Sequence, residues 1–383
     1  MNQQEAMNLL PKYFDSLMEQ STAQRPAWNM EMIRSGNANV WSYVDACMLK
    51  AALALYDITK RQHYLEFADS FLDWYVQENG EIKTYDKAEL NIDNICPAKN
   101  LFELYAYTGK EKWRRALDHV REQLDIMPRT KAGNFWHKNI YPWQVWLDGL
   151  YMGQPFYLQY ELAFKNGAGC EDSFMQFRNV YELMRKENGL YYHGYDESRQ
   201  MYWADKQSGC SPHCWGRAVG WLMAALADTL EVVENSAVSA ENVLFLEKMA
   251  VELADALIPW QHQDGMFYQV VDMPEAEGNY LEASGTLLMA YGIMKCVRLG
   301  KLPQRYWKMA ESAFAGTVER YLRTDEHGQM HLHGICLVAG LGGAQRRDGS
   351  LEYYFSEPIV QDEGKGVAPL LLCYTELLRK TLA

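Results

Sequence analysis

Apolar residues recur at helical spacing along most of the chain, in two kinds of segment that alternate. Six segments open with small or polar residues and run into an apolar stretch with aromatic residues; they begin at Asp45, Asp93, Asp148, Trp215, Ala283 and Lys365. Between them lie longer, more charged amphipathic stretches such as EKWRRALDHVREQLDI, whose apolar residues also follow a helical period. With a helix at the N-terminus, this pattern predicts twelve helices in six pairs.

The two kinds of segment suit two layers of helices. The small, apolar segments suit an inner ring that is packed on both sides, and the charged segments suit an outer ring with one face in water. The inner segments lie about 50 to 80 residues apart, close to the spacing of repeat architectures. We therefore predict an all-α fold, a closed (α/α)6 barrel of six helical hairpins. No linker-like stretch divides the sequence, so a single domain over residues 1–383 is expected.

Several outer segments end in a tight turn followed by a short aromatic run, as in ENGEIKTYD, AGNFWHK, ENGLYYHGYD, QDGMFYQVVD and RDGSLEYYFSE. Asn-Gly and Asp-Gly supply the positive φ angles that such turns require, so short hairpin strands are predicted after them. These insertions precede inner segments. We expect them to gather on one face of the barrel, over the N-termini of the inner helices, and to form a pocket there.

Composition and charge narrow the classes of partner. The formal net charge is -13 and no lysine- or arginine-rich run is present, which argues against a nucleic-acid partner. The first residues lack the pattern of a secretory signal, and no stretch is long enough to cross a bilayer, so a cytoplasmic protein with no membrane partner is expected. The 12 Trp and 25 Tyr either pack the core or line a ligand surface.

The cysteines give little sign of a disulfide framework or a metal site. Eight in a chain of 383 residues are too few for a disulfide scaffold, and most lie in apolar helical patterns. Cys210, His213 and Cys214 form the one cluster that resembles a zinc site, and no second pair of ligands lies near it in the sequence. No phosphate loop, dinucleotide fingerprint or nucleophile elbow is present. We expect no metal and no other cofactor.

Two carboxylates stand at the beginning of inner segments, Asp93 in NIDNICP and Asp148 in WLDGLYMG. An aspartate in this position is often a helix N-cap, and that alternative stays open here. Aromatic residues surround Asp148 in the sequence, so its carboxyl group is expected to be partly desolvated, which raises a pKa and opposes the effect of a helix N-terminus. Paired acids with different pKa values are what glycosyl chemistry requires.

Two histidines and an arginine are further candidates. His137 and His193 fall at corresponding places in two insertions, on the same predicted face as the aspartates, where they act on sugar hydroxyls or protons, or serve the structure. Arg217 lies in an otherwise apolar segment between Trp215 and Trp221. A buried guanidinium needs an anionic partner, either a structural carboxylate or the carboxylate of a sugar stacked on the indoles.

Over nearly its whole length the sequence resembles the unsaturated rhamnogalacturonyl hydrolases, glycoside hydrolase family 105, which are related to the unsaturated glucuronyl hydrolases. Several long motifs in the same order carry the resemblance: NIDNICPAKNLFELY, WLDGLYMGQPF, GLYYHGYD, SPHCWGRAVGWLMAAL, YLEASGTLLMAYG and VAGLGGAQRRDGSLEYYFSEPIVQDEGKGVAPLLL. The resemblance implies an (α/α)6 barrel and a metal-independent hydrolase of the disaccharides that polysaccharide lyases leave.

The resemblance also implies roles for individual residues. Asp148 matches the general acid/base and Asp93 matches its carboxylate partner. The residues predicted to bind the sugar are His137, His193, Trp146, Trp215, Arg217, Trp221 and Tyr43. Three positions, Val219, Asn94 and Tyr195, depart from the residues common in the family, which leaves the identity of the second sugar open.

The implied reaction is hydration of a double bond, which releases the terminal 4,5-unsaturated galacturonate from rhamnogalacturonan disaccharides. The alternatives are an unsaturated glucuronyl hydrolase, a polysaccharide lyase on the same barrel, and a carbohydrate-binding barrel without catalysis. A lyase usually needs a long basic groove for a polyanion, which the net charge of -13 disfavours. The expected partner is a small disaccharide that contains an unsaturated uronate, and the expected assembly is a monomer or a weak homodimer.

Overall fold

Helices make up most of the protein. The computed structural model describes residues 2–234 and 236–382, and in that part of the chain the α-helices are α1 (Gln3–Glu19), α2 (Met30–Ser35), α3 (Tyr43–Thr59), α4 (Gln62–Asp73), α5 (Lys99–Thr108), α6 (Glu111–Ile126), α7 (Leu147–Phe164), α8 (Cys170–Met184), α9 (Gly216–Val232), α10 (Ala240–Leu257), α11 (Ala283–Arg298), α12 (Arg305–Tyr321), α13 (Leu351–Ser356) and α14 (Gly364–Leu382). Short 3-10 helices span Lys87–Glu89, Ile92–Ala98 and Ile258–Trp260.

Short strands join the loops at one end of the molecule. They form antiparallel pairs: β1 (Gln144–Trp146) with β2 (Gly194–Asp196), β3 (Leu322–Thr324) with β4 (Met330–Leu332), and β5 (Ile335–Cys336) with β6 (Ile359–Val360). In the first pair Val145 lies opposite Tyr195. None of the described helices has the length and apolar content of a membrane span.

The long helices form two concentric layers, which confirms the predicted barrel of six helical pairs. The inner ring consists of α3, α5, α7, α9, α11 and α14, and α14 packs against α3 to close it. Each of the first five inner helices packs against the outer helix that follows it in the chain, and α1 contacts α12 and α14. The short helices α2 and α13 are additions to the predicted twelve.

Burial separates the two layers in the way that the sequence pattern requires. Every residue of α11 from Ala283 to Val297 is buried, whereas α6 buries one face and leaves charged residues such as Arg115 and Asp125 in water. Glycines allow the inner helices to approach closely. A Cβ atom on Gly285 of α11 would lie 2.7 Å from the backbone of Gly216 in α9.

The loops differ from the predicted hairpin strands in two places. The insertions do form tight turns, such as the one closed by the bridge between Arg185 and Tyr191, but β1 and β2 pair between two insertions. The prediction of a strand in RDGSLEYYFSE is wrong. That segment forms α13, because Ser350 is a favourable N-cap and its hydroxyl accepts a hydrogen bond from the N–H of Tyr353 at 3.1 Å.

The second inner segment also begins differently from the prediction of a single α-helix. Residues Ile92–Ala98 form 3-10 turns before α5 begins at Lys99. Pro97 lies in this segment and has no N–H to donate, which favours the change of helix type. Asp93 therefore stands on a 3-10 helix, at the same end of the barrel as the start of α7.

Candidate active site

Asp148 lies in the first turn of α7, directly after strand β1. The N-cap of α7 is Trp146, and no side chain caps this helix end, so Asp148 does not have the capping role that its position in the sequence allowed. Its carboxyl oxygen Oδ2 lies 3.5 Å from Nε2 of His193. Both atoms are buried and neither has a hydrogen-bond partner among the described residues.

His193 is held from several sides. The imidazole is fully buried, and its Nδ1 lies 2.8 Å from the hydroxyl oxygen of Tyr354. Its ring centroid lies 4.7 Å from that of Trp215 and 5.5 Å from that of Trp146. Its carbonyl oxygen accepts a hydrogen bond from the N–H of Leu147 at 3.1 Å. The start of α7 is therefore hydrogen-bonded to the insertion that carries His193.

Asp93 belongs to a second aspartate–histidine pair. Its Oδ1 lies 3.5 Å from Nε2 of His137, and its Oδ2 forms an ion pair with Nζ of Lys138 at 2.7 Å. The N-cap of its 3-10 helix is Asn91, whose side chain accepts from the N–H of Asp93, so capping does not explain Asp93 either. Burial alone would raise the pKa of Asp93, but the positive charge of Lys138 lowers it.

His137 is buried without a partner on its second ring nitrogen. Nδ1 has no hydrogen-bond partner in residues 2–234 and 236–382. Burial lowers the pKa of His137 to about 4, although Asp93 opposes the shift, so the imidazole is neutral at neutral pH. The backbone N–H of His137 donates to Gln144, and its carbonyl accepts from Ile92. These bonds connect the insertion that carries His137 to β1 and to the 3-10 helix that carries Asp93.

The two pairs therefore differ in charge. Lys138 sits beside Asp93, whereas the structure described here has no lysine or arginine within ion-pair distance of Asp148. One carboxylate is held as an anion, and the other faces an imidazole. Two carboxyl groups in unlike surroundings are the arrangement from which acid and base roles arise.

The tryptophans form the wall of the site. Trp146 is stacked with His137 and with Tyr141, at centroid distances of 4.4 and 5.0 Å. Trp215 is the N-cap residue of α9, and its ring stacks on Tyr354 at 6.2 Å. Both indoles are at least 95% buried, with exposed fractions of 5% and 1%. Their packing fixes the two histidines of the site.

Arg217 is buried next to Trp215 and has no carboxylate partner within ion-pair distance in the described residues. Its guanidinium lies 4.7 Å from the centroid of Trp215. It donates to the hydroxyl of Ser284 at 3.1 Å and to the carbonyls of Cys336 and Leu337. Burial opposes its charge, but the ionisable groups around it, Cys336 first and then Glu282, raise its pKa. The structural carboxylate considered from sequence is thus not found in direct contact with Arg217 among the described residues, although Glu282 lies near enough to affect its pKa.

Trp221 and Tyr43 lie together deeper in the barrel. Trp221 stands one helical turn after Arg217 in α9, and its ring lies 4.6 Å from Tyr151 and 6.4 Å from Tyr43. Trp221 is 1% exposed, whereas Tyr43 is half-buried, with Nζ of Lys365 5.9 Å from its ring centroid. All nine residues predicted for the site thus occupy the N-terminal end of the inner ring, with Trp221 packed furthest inside.

Sequence reasoning missed several residues that the fold brings to this end. Lys138 directly follows His137, and that adjacency was the one available signal. Tyr354 gave no local signal, because it lies 161 residues from its partner His193. Lys365, fully buried, pairs with Glu31 and with Glu363. The charged groups around the candidate site therefore come from three elements: Glu31 from α2, Lys138 from an insertion and Lys365 from α14.

The residues that resembled a zinc site do not form one in the described structure. In residues 2–234 and 236–382 no three His, Cys, Asp or Glu side chains lie close enough together to hold a metal ion. Sγ of Cys210 instead contacts the carbonyl of Leu183 at 3.2 Å, and Cys214 is buried as a free thiol.

Known proteins with similar sequences and structures agree with this architecture. The family model described as Glycosyl Hydrolase Family 88 matches residues 13–381. The solved structure of a family 105 glycoside hydrolase from C. acetobutylicum is similar with a TM-score of 0.88 and 39% identity, over 97% of this chain and 98% of that chain.

Two curated relatives extend the comparison. Protein Atu3128 of Agrobacterium fabrum is 41% identical over 233 residues, which are 59% of this chain and 98% of that protein. The unsaturated rhamnogalacturonyl hydrolase YesR of Bacillus subtilis is 23% identical over 286 residues, which are 73% of this chain and 76% of that protein. The chain therefore belongs to the unsaturated uronyl hydrolases of glycoside hydrolase families 88 and 105, and it is a glycosidase.

Proposed function

We propose that the protein releases the terminal 4,5-unsaturated galacturonate from lyase-generated rhamnogalacturonan disaccharides, with Asp148 as the general acid/base. The observation that carries the proposal is the unlike setting of the two aspartates. Asp93 is paired with Lys138 at 2.7 Å, whereas Asp148 faces the imidazole of His193 at 3.5 Å. YesR is an unsaturated rhamnogalacturonyl hydrolase and the chain is similar to it over 76% of its length, which supports the choice of galacturonate and rhamnose.

In this proposal the substrate binds with its carboxylate toward Arg217. The guanidinium is buried and charged, and its present partners are a hydroxyl and two backbone carbonyls, so a uronate carboxylate supplies the missing negative charge. The half-buried Tyr43 offers apolar surface to the sugar ring, and Trp215, which is buried, packs behind it against Arg217 and His193. His137 hydrogen-bonds one of its hydroxyl groups through Nδ1, which is buried without a partner in the described residues, and His193 lines the sugar site with its Nε2 toward Asp148.

The chemistry follows from the conjugated double bond between C4 and C5. Asp148 donates a proton to C4, the π electrons form the new C–H bond, and positive charge develops at C5, where the ring oxygen stabilises it. Water adds to C5 and gives its proton to an aspartate. The resulting hemiketal opens and rearranges, which breaks the link to the second sugar. Since C1 is not attacked directly, the carboxylate spacing that distinguishes retaining from inverting glycosidases does not apply.

The test compares the wild type with Asp148→Asn on unsaturated galacturonyl-rhamnose. Hydration destroys the conjugated double bond, so the ultraviolet absorbance of the substrate should fall with the wild type. A positioned proton donor contributes typically about 10²–10⁴-fold, and we expect kcat to fall by that factor in the variant while substrate binding, measured by calorimetry, persists. Asp15→Asn, a change on the outer helix α1, is the matched control and should keep wild-type turnover.

The same assay discriminates the alternatives. Faster turnover of unsaturated glucuronyl disaccharides than of the galacturonyl substrate would assign the protein to the glucuronyl hydrolases. A rise in absorbance with intact polysaccharide would indicate a lyase. Constant absorbance with every unsaturated disaccharide, together with tight binding of one of them, would leave a carbohydrate-binding barrel without catalysis.

A further inference from the structure

A buried tyrosine stands behind one of the two site histidines. Tyr354 of α13 is fully buried, its hydroxyl oxygen lies 2.8 Å from Nδ1 of His193, and its ring is nearly parallel to that of Trp215, at 15°. On its other side His193 presents Nε2 to Oδ2 of Asp148 at 3.5 Å. His137 has no such partner on Nδ1 in the described residues, so the tyrosine supports the histidine that faces Asp148.

The proton of this tyrosine determines which nitrogen of His193 is protonated. Burial first, and then the nearby groups Tyr353 and Asp148, raise the pKa of Tyr354, so the hydroxyl keeps its proton. Within the described residues, Nδ1 of His193 is the one side-chain or backbone partner found for that hydroxyl. The hydroxyl therefore donates to Nδ1, and the ring proton resides on Nε2, where it points to Asp148.

The tautomer of His193 with its proton on Nδ1 is disfavoured at both ring nitrogens. It would leave the hydroxyl proton of Tyr354 without an acceptor in the interior, and, once Asp148 has given up its proton, it would place the Nε2 lone pair of His193 against a carboxylate oxygen. The position of the tyrosine is also well fixed. The N–H of Tyr354 donates to the carbonyl of Ser350 at 3.1 Å, and its own carbonyl accepts from the side chain of Gln269 at 3.4 Å.

We propose that Tyr354 is a positioning residue that fixes the Nε2-protonated tautomer of His193 and thereby orients the carboxyl group of Asp148. The inference rests on the proposed function and deepens it. When Asp148 gives its proton to C4 of the substrate, it becomes a carboxylate, and the N–H of His193 can then donate to Oδ2. The other carboxyl oxygen stays available for the proton that water releases. Tyr354 acts through His193 and needs no contact with the sugar.

The experiment removes one hydroxyl group at a time. Tyr354→Phe keeps the ring that packs on Trp215 and removes the oxygen behind His193. Tyr353→Phe is the matched control, because that residue lies on the same helix and its hydroxyl accepts from the N–H of Gly340 at 3.0 Å. In protein labelled with ¹⁵N-histidine, the ring signals of His193 are identified by their loss in His193→Gln.

We expect Nε2 of His193 to be protonated in the wild type and in Tyr353→Phe, and the proton to move wholly or partly to Nδ1 in Tyr354→Phe. On the unsaturated disaccharide, kcat of Tyr354→Phe should fall about tenfold, the scale set by one hydrogen bond, with KM unchanged. A role in packing alone would alter stability and leave the ring signals in place.

Three results would overturn the inference. The first is an Nδ1-protonated His193 in the wild type, a measurement that does not require any variant to fold. The second is an unchanged His193 signal in folded Tyr354→Phe. The third is an equal change of signal in Tyr353→Phe. If the tautomer is as expected but the wild type leaves every unsaturated disaccharide intact, the assignment of Tyr354 stands and the proposed function fails.

Discussion

The candidate site contains two aspartate–histidine pairs, and a charged neighbour makes their surroundings different. Asp93 and Asp148 each face a histidine at 3.5 Å, but Lys138 lies 2.7 Å from Asp93. Burial alone would raise the pKa of Asp93, and the ammonium group reverses that effect. The surroundings of the two carboxyl groups are thus distinguished by a lysine that follows His137 in the same insertion.

We expect Lys138→Gln to move the acid limit of activity to higher pH. In the wild type the depressed pKa keeps Asp93 ionised, and the stabilisation from this ion pair is present above the unfolded pKa and lost as the pH falls through the lower folded value. Without the ammonium group, burial raises the pKa of Asp93. The measurement is kcat/KM against pH, with the exposed Lys131→Gln as control. An acid limit equal to that of the wild type would contradict this account.

Close contact between inner helices depends on single glycines. A Cβ on Gly285 would lie 2.7 Å from the carbonyl carbon of Gly216 and 2.8 Å from the backbone nitrogen of Arg217. Gly220 of α9 is equally close to Leu288 of α11. Since α9 also carries Arg217 and Trp221, the crossing of these two helices sets the position of two of the residues predicted to bind the sugar.

Gly285→Ala should therefore destabilise the protein even though alanine is the better helix former. The gain in helix propensity is about 1 kcal/mol, but the new methyl group meets backbone atoms that cannot move aside, and overpacking costs about 1–3 kcal/mol or more. We expect a net loss in the free energy of unfolding, measured in urea. Gly153→Ala in α7 is the control, because the nearest atoms, at 3.1 Å, belong to the flexible side chain of Ile92. Equal losses in both variants would contradict the prediction.

An element can be predicted from the sequence when the interactions that form it lie within its own segment. The long helices follow from periodic apolar residues, which every turn of the helix repeats. The start of α5 depends on Pro97, and the start of α13 depends on Ser350. At each place the choice between strand, 3-10 helix and α-helix rests on one or two hydrogen bonds. For the same reason the pairing of β1 with β2 could not be foreseen, because its strands come from two different insertions.

A cluster of ion pairs lies at the end of the barrel opposite Asp93 and Asp148. Asp228 is buried and accepts from Lys50, Lys295 and Tyr291, each at 2.7 Å. Burial alone would raise its pKa, but the charges of Lys295 and Lys50 lower it. Beyond this cluster a cavity of about 270 Å³ opens between the C-terminal ends of the inner helices, with Glu103 and charged residues of α14 in its wall. The two ends of the molecule thus have separate tasks, chemistry at one and closure at the other.

Asp228→Asn should cost stability and leave the chemistry intact. Removal of one partner of a buried ion pair leaves an uncompensated charge, which destabilises a protein by about 3–5 kcal/mol. We expect that loss in urea unfolding, with KM and kcat of the folded protein unchanged. In Asp228→Asn/Lys295→Met the buried ammonium that has lost Asp228 and keeps Glu231 as its remaining partner, at 2.5 Å, is gone, and part of the stability should return. A double variant less stable than the single one would contradict this explanation.

Helical periodicity was sufficient to predict the barrel. The apolar residues of each segment indicate how far that helix is buried, and the alternation of apolar and charged segments indicates two layers. Motifs were sufficient to name both aspartates, both histidines and Arg217, and the fold brings them to one end of the ring. The single domain, the cytoplasmic location and the oligomeric state stay predictions. Apart from Lys138, which follows His137 in the sequence, the partners of the named residues came from packing. Tyr354 and the carbonyls around Arg217 are more than a hundred residues away in sequence, and an electrostatic environment built across such distances leaves no trace in any local pattern.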